Sequence, residues 1–246
     1  MWTDKPPKRV DNGIKCFTQE ECEAYTKKVF RLKKQDRLSP CTNTYKEQGW
    51  HFQGKCPEDS YVVPLELFPE LHDMGLKIQP LMERAVFKKL YPTYIYSRLY
   101  YPGYELCRHT DRPSCEYSVS VTMGMGGRDE PWKLYYEDHD FDTVEFDLPI
   151  GNGMVYPGCI APHWRAPLEK GWQLQTFFHY IEYKGFYYNA ALNQSAEAKE
   201  QGLTKRAYDF STPWTDPIAL RFQNRPSWHF PLGNVYTELD NPTLAF

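Results

Sequence analysis

His109 and Asp111, two residues apart, form the only His-x-Asp in the chain. On an extended segment, residues i and i+2 project to the same side, so an imidazole and a carboxylate at this spacing converge on one atom. A third ligand must come from elsewhere, and His163 is the best candidate. It lies 52 residues beyond Asp111, follows the Gly-rich approach GNGMVYPG and stands just ahead of a long aromatic segment. Two histidines and one carboxylate make the facial set of non-haem Fe(II) oxygenases, which leaves three iron positions open for cosubstrate and O2. By itself His-x-Asp is a weak signal, because His72, His139, His179 and His229 show that histidine is not scarce here. Context has to supply the specificity.

The elements that would hold these residues are mostly strands. Thr93–Tyr101 is β-branched and aromatic and is closed by Pro102-Gly103. Tyr117–Met123 alternates, with Val119 and Val121 opposite Ser118, Ser120 and Thr122. Trp132–Tyr136, Thr143–Phe146 and Met154–Tyr156 are further short strands, and Leu174–Tyr183 is the longest. This succession predicts a mainly β fold, a double-sheet barrel or jelly roll. Ahead of it, Thr18 and Glu21 make a capping box that predicts a helix over 19–34. A second helix is predicted to start at Pro80 and run through Leu90. The expected organisation is a helical buttress over 1–92, a β core over 93–190 and an ordered arm over 191–246. That last stretch carries Trp214, Trp228 and Phe230, with a short helix within 193–202.

The run Tyr101–Pro113 (YPGYELCRHTDRP) resembles the Y-P-G…R-H-x-D-N-P segment of the Fe(II)/2-oxoglutarate-dependent prolyl hydroxylases. His163–Gln173 (HWRAPLEKGWQ) resembles the second half of that signature, with Pro167 and Gly171 where the collagen-type enzymes carry Pro and Gly after the distal histidine. The resemblance spans about residues 93–183. It implies a double-stranded β-helix (jelly-roll) core with N-terminal buttressing helices, and His109, Asp111 and His163 as both the metal ligands and the catalytic centre. Fe(II) is the implied cofactor and 2-oxoglutarate the implied cosubstrate. Tyr101 matches a tyrosine that helps hold the cosubstrate, while Arg112 and Trp164, of opposite parity, are candidates for the substrate mouth.

One departure matters. Where those enzymes place a Lys or Arg to pair with the far carboxylate of 2-oxoglutarate, this chain has Trp172 and Gln173. A neutral amide can hydrogen-bond a carboxylate but cannot neutralise it, and a buried unpaired charge is costly. Either another cation substitutes or the cosubstrate differs. Arg165 is the proposed substitute, since it shares a face with His163 if the segment is extended, with Gln173 adding a neutral hydrogen bond beside it. The alternative places Arg165 outward, paired with Glu169.

Composition bounds the rest. The chain has 246 residues, 41% of them apolar and 25% charged, with a net charge of −3, so it lacks the basic excess of a general nucleic-acid binder. There is no run of 18 apolar residues, and the start MWTDKPPKRV has no signal-peptide core, so neither a membrane nor a nucleic acid is expected as a partner. Seven cysteines without a Cys-x-x-Cys pair predict free thiols and a cytoplasmic protein. The function expected is hydroxylation of a peptide, prolyl peptides included, or of a small molecule, with O2 as the other reactant. A cupin-like barrel holding a metal or ligand without turnover is the alternative. A third reading makes the C-terminal arm an interaction surface.

Overall fold

The computed structural model describes residues 9–11, 13–40, 60–111, 115–138 and 140–188. The expected arm over 191–246, Arg112, His139, His229, Cys41 and Cys56 lie outside the described residues.

Two antiparallel β-sheets face one another. In chain order the strands are β1 (Arg9–Asp11), β2 (Ile14–Lys15), β3 (Ser39–Pro40), β4 (Tyr61–Val62), β5 (Leu90–Tyr100), β6 (Leu106–His109), β7 (Tyr117–Gly126), β8 (Leu134–Glu137), β9 (Thr143–Phe146), β10 (Asn152–Tyr156), β11 (His163–Arg165) and β12 (Trp172–Glu182). The larger sheet runs β2-β10-β7-β12-β5-β4-β3 and the smaller β1-β9-β8-β11-β6. Within the smaller sheet, β1 alone pairs parallel, with β9. Core strands alternate between the sheets from β5 to β8 and again from β9 to β12, with β8 and β9 paired in the smaller sheet, which is the double-stranded β-helix predicted above. The region expected as a helical buttress, 1–92, also contributes β1–β4 to the sheet edges.

Helices α1 (Gln19–Lys33) and α2 (Glu70–Val86) cover the outer face of the larger sheet. The capping box forms as predicted, with the Glu21 N–H donating to Thr18 Oγ1 at 3.2 Å and the Thr18 N–H to Glu21 Oε2 at 2.9 Å. Cys22, Tyr25, Val29 and Leu32, one stripe of α1, are buried against the sheet. The second helix differs from expectation: it begins ten residues before Pro80, and the proline lies inside it. Proline in a helix interior removes one hydrogen bond, to the carbonyl four residues back. Here that residue is the exposed Leu76, so water can take the orphaned acceptor.

Strand parity decides what each face meets. On β5, β7 and β12, Ile95, Leu99, Val119, Val121, Leu174 and Phe178 join the core under the helices. Tyr25 ties α1 to the same face through its hydroxyl, 2.7 Å from Ser97 Oγ, and Tyr180 donates to the Gly75 carbonyl of α2 at 2.9 Å. The opposite parity, which includes Arg98, Tyr100, Ser118, Ser120, Thr122, Gln173 and Gln175, points between the sheets and is buried too. The inward face of the larger sheet's long strands is therefore markedly polar.

The turn from β11 into β12 sets where Gln173 falls. Gly171 has φ of +73°, and a Cβ there would run into the Gly126 carbonyl at the end of β7. Gly171→Ala should lower stability by at least ~1–3 kcal/mol, because strain at positive φ and the clash act together. Denaturant unfolding checks this, and a loss within experimental error would show that the turn can relax.

Candidate metal centre

β6 and β11 pair antiparallel with His163 opposite His109, so the two imidazoles lie side by side with ring centroids 4.3 Å apart. Asp111 follows β6 by two residues. Its Oδ1 is 3.5 Å from His109 Nε2 and 3.7 Å from His163 Nε2, and all three ligand atoms lie within 4.8 Å of one another. Both rings are oriented the same way. His109 Nδ1 is 2.8 Å from the Cys107 carbonyl and His163 Nδ1 is 2.9 Å from the Ala161 carbonyl. A carbonyl only accepts, so each Nδ1 carries the proton and each Nε2 presents its lone pair to the shared space. Asp111 Oδ2 is buried with no hydrogen-bond partner.

The electrostatics suit a cation. Burial alone would push the Asp111 carboxyl up, but the adjacent His163 and His109 rings, when protonated, outweigh it and hold its pKa well below the carboxylate range. Burial, with His109 adding to it, lowers His163 to about 4, so this ring is neutral at physiological pH. A deprotonated carboxylate and a neutral imidazole are the forms that bind metal. A second cluster shares Asp111 with Cys115 and His179. There His179 Nδ1 is engaged by Ser118 Oγ at 2.7 Å and the Cys115 thiol contacts the Tyr94 hydroxyl at 3.1 Å.

Two glycine-dependent contacts hold the acid in place. The Asp111 N–H donates to the Gly158 carbonyl at 2.8 Å, and a Cβ on Gly158 would sit 2.7 Å from Asp111 Oδ2. Nothing but a glycine in the GNGMVYPG run hinted at this role. Tyr156, whose ring centroid lies 4.6 Å from that of His163, backs the same ligand and also escaped sequence reading.

Arg165 shares the inward face with His163 despite a register irregularity between them, about 7 Å along an extended strand. Only 2% of it is exposed. One nitrogen, Nη1, donates to the Trp132 carbonyl, the guanidinium lies over the Trp132 ring at 4.8 Å, and Nη2 is buried without a partner. Among the described residues no carboxylate pairs with it, so the outward placement against Glu169 is not what the chain adopts. Burial, with a smaller contribution from the nearby Arg128 charge, lowers its pKa to about 10, which leaves it cationic at neutral pH.

Gln173 points inward as its parity requires, but its amide is fully engaged. Oε1 accepts from Arg128 Nη2 and from the Trp132 N–H at 3.2 Å, while Nε2 donates to Gln175 Oε1 at 2.8 Å and lies 3.4 Å from Thr122 Oγ1. It has no hydrogen-bonding capacity left for a ligand. Tyr101 is not brought to the site. It packs among the residues of the helix-side core with Lys33 Nζ 4.9 Å above its ring, because it has the parity of Leu99. Its neighbour Tyr100 faces the interior and interacts with Arg165 instead. Trp164 is turned away from the triad, stacked on Tyr135 at 5.8 Å with Arg108 over it, so it does not border the ligands.

No protein-family model and no curated protein sequence matches the chain. Solved structures do. SnoN, a non-haem α-ketoglutarate-dependent epimerase of nogalamycin biosynthesis, is 11% identical over 68% of this chain and 75% of its own, with a TM-score of 0.52. The fold is that of the Fe(II)- and 2-oxoglutarate-dependent oxygenases. HygX from Streptomyces hygroscopicus, solved with nickel and 2-oxoglutarate, is 12% identical over 69% of this chain and 81% of its own, at 0.50. A Pseudomonas putida prolyl-4-hydroxylase is 14% identical over 70% of this chain and 90% of its own, at 0.47, too slight a likeness to speak for a substrate.

The Gly158 contact yields a test that leaves every ligand atom in the protein. Gly158→Ala should displace Asp111 and weaken divalent-metal affinity about 10–100-fold, the usual effect of losing support behind a ligand. Calorimetric titration with Mn(II) measures it. Wild-type affinity in this variant would mean that the loop adjusts without moving the carboxylate.

Proposed function

We propose that this chain is an oxygenase that uses Fe(II) and 2-oxoglutarate to hydroxylate a peptide, prolyl peptides included, or a small molecule, in a reducing cytoplasm. The observation that carries the reading is the donor set. Two Nε2 lone pairs and the Asp111 carboxylate, with Oδ1 nearest to both rings, face one space, with a buried cation two residues along the same strand. Imidazole and carboxylate together suit Fe(II) and leave coordination positions open. When bound, Fe(II) supplies the O2 chemistry that couples decarboxylation of 2-oxoglutarate to substrate hydroxylation.

The chain's own residues have the simpler tasks. His109, Asp111 and His163 hold the metal on one side, their orientation set by backbone carbonyls and by the Gly158 loop. Arg165 receives the far carboxylate of 2-oxoglutarate through its unpartnered nitrogen and thereby fixes which end of the acid meets the metal. The interior keeps that charge pair away from water, where a charged hydrogen bond is worth ~1.5–3 kcal/mol. No protein acid, base or nucleophile is needed. The fold likeness to SnoN and HygX supports the general kind of chemistry.

Purified protein with Fe(II), 2-oxoglutarate and O2 should release succinate and consume O2, and a metal-binding module without turnover should do neither. Ala at His109, Asp111 or His163 should abolish the metal-dependent reaction while the chain remains folded by circular dichroism. Full activity in His163→Ala would remove it from the ligand set. Arg165→Ala should raise the 2-oxoglutarate requirement roughly ten- to a hundredfold, at about 1.4 kcal/mol per decade. An unchanged requirement would take Arg165 out of the cosubstrate site.

A further inference from the structure

Arg165 is not the only cation at this end of the barrel. Arg128, just past β7, directs Nη2 onto Gln173 Oε1, and its Nε is buried with no partner. Both guanidiniums are tied to the Trp132 backbone, Arg165 directly and Arg128 through Gln173. The Trp132 carbonyl accepts from Arg165, while its N–H shares Gln173 Oε1 with Arg128. Among the described residues no carboxylate pairs with either arginine, although Asp129 and Glu130 adjoin Arg128 in the chain. Two like charges with buried N–H groups left unsatisfied are costly unless an anion lies within reach of both.

We propose that Arg128 is the second arm of the cosubstrate anchor, so that the far carboxylate of 2-oxoglutarate is held between two guanidiniums, with Gln173 as the bracket that aims Arg128. This rests on the oxygenase reading above. It also gives Gln173 a purpose: a lysine or arginine at that position would carry the charge itself, whereas the glutamine spends its carbonyl oxygen directing a cation from just past β7. The second guanidinium makes the site selective for a dicarboxylate over a 2-oxo acid without a far carboxylate. Arg128 is only partly buried, whereas Arg165 is buried, so Arg128 is the more solvent-accessible of the two.

Calorimetric titration of the anaerobic Fe(II)-loaded protein with 2-oxoglutarate and with pyruvate tests the assignment. Pyruvate offers the same 2-oxo acid head and lacks the far carboxylate. Arg128→Gln should weaken 2-oxoglutarate roughly ten- to a hundredfold, as the loss of a charged hydrogen bond does, and leave pyruvate unchanged. Arg128→Lys should recover part of the loss, because the charge returns without the fork. Gln173→Leu, which keeps both charges and removes the bracket, should weaken 2-oxoglutarate selectively and by less. Thermal melting of each variant reports whether the fold is retained. Affinity of Arg128→Gln for 2-oxoglutarate equal to wild type, or an equal loss for both acids, overturns the proposal and leaves the oxygenase reading standing. Failure of the wild-type holoprotein to bind 2-oxoglutarate overturns both.

Discussion

Each long strand of the larger sheet, β5, β7 and β12, has one face for the helices and one for the barrel interior, and this division organises everything else. Ile95, Leu99, Val119, Val121, Leu174 and Phe178 go to α1 and α2. Each large side chain buried this way contributes about 1.5–3 kcal/mol relative to exposure, which is enough to hold the helices without help from the interior. The alternate residues are thereby released from the task of making a core. Period-two alternation leaves them no choice but to enter the barrel, and there most of them are polar.

A polar interior is stable only where its groups find partners. Gln173 donates to Gln175, which donates to Ser120 at 2.9 Å, while Thr122 lies 3.3 Å from the same Gln175 oxygen. The chain of bonds crosses from β12 to β7 and satisfies groups that would otherwise cost free energy on leaving water. Against that background the atoms left without partners are informative. Asp111 Oδ2 is anionic, and Arg128 Nε and Arg165 Nη2 are cationic. An interior that leaves these charged groups waiting is complementary to a metal ion joined to an acid. The cost is borne by the rest of the fold in exchange for preorganisation, which lowers the reorganisation needed when ligands arrive.

The metal-facing residues sit on the smaller sheet, whose strands are shorter and whose β6 lies at its edge. Precision there comes from specific ties. In-register pairing of His109 with His163, carbonyl contacts at each Nδ1 and the close approach of Gly158 to Asp111 each remove one freedom from a ligand. The larger sheet and its helices supply the rigid frame, and the smaller sheet supplies direction.

The pairing of His109 with Asp111, the strand succession and the inward face of Arg165 were legible in the sequence from local spacing and alternation, whereas His163, 52 residues beyond Asp111, needed the resemblance to join them. The capping box of α1 was legible for the same reason: its partners are three residues apart. What failed or was missing depended on contacts distant in the chain. The α2 start was misplaced because packing of Leu71 and Ile78 against the sheet overrides the breaking tendency of Pro80. Tyr101 was assigned to the site by likeness, but the pairing of β5 with β12 puts Tyr100 opposite Gln173 and so gives Tyr100 the inward face. Gly158 and Arg128 had no local signature, since their importance lies in what they touch from 45 or more residues away. Residue types and their periods determine which side chains can meet on one strand face; only the pairing of strands decides which faces enclose a common space.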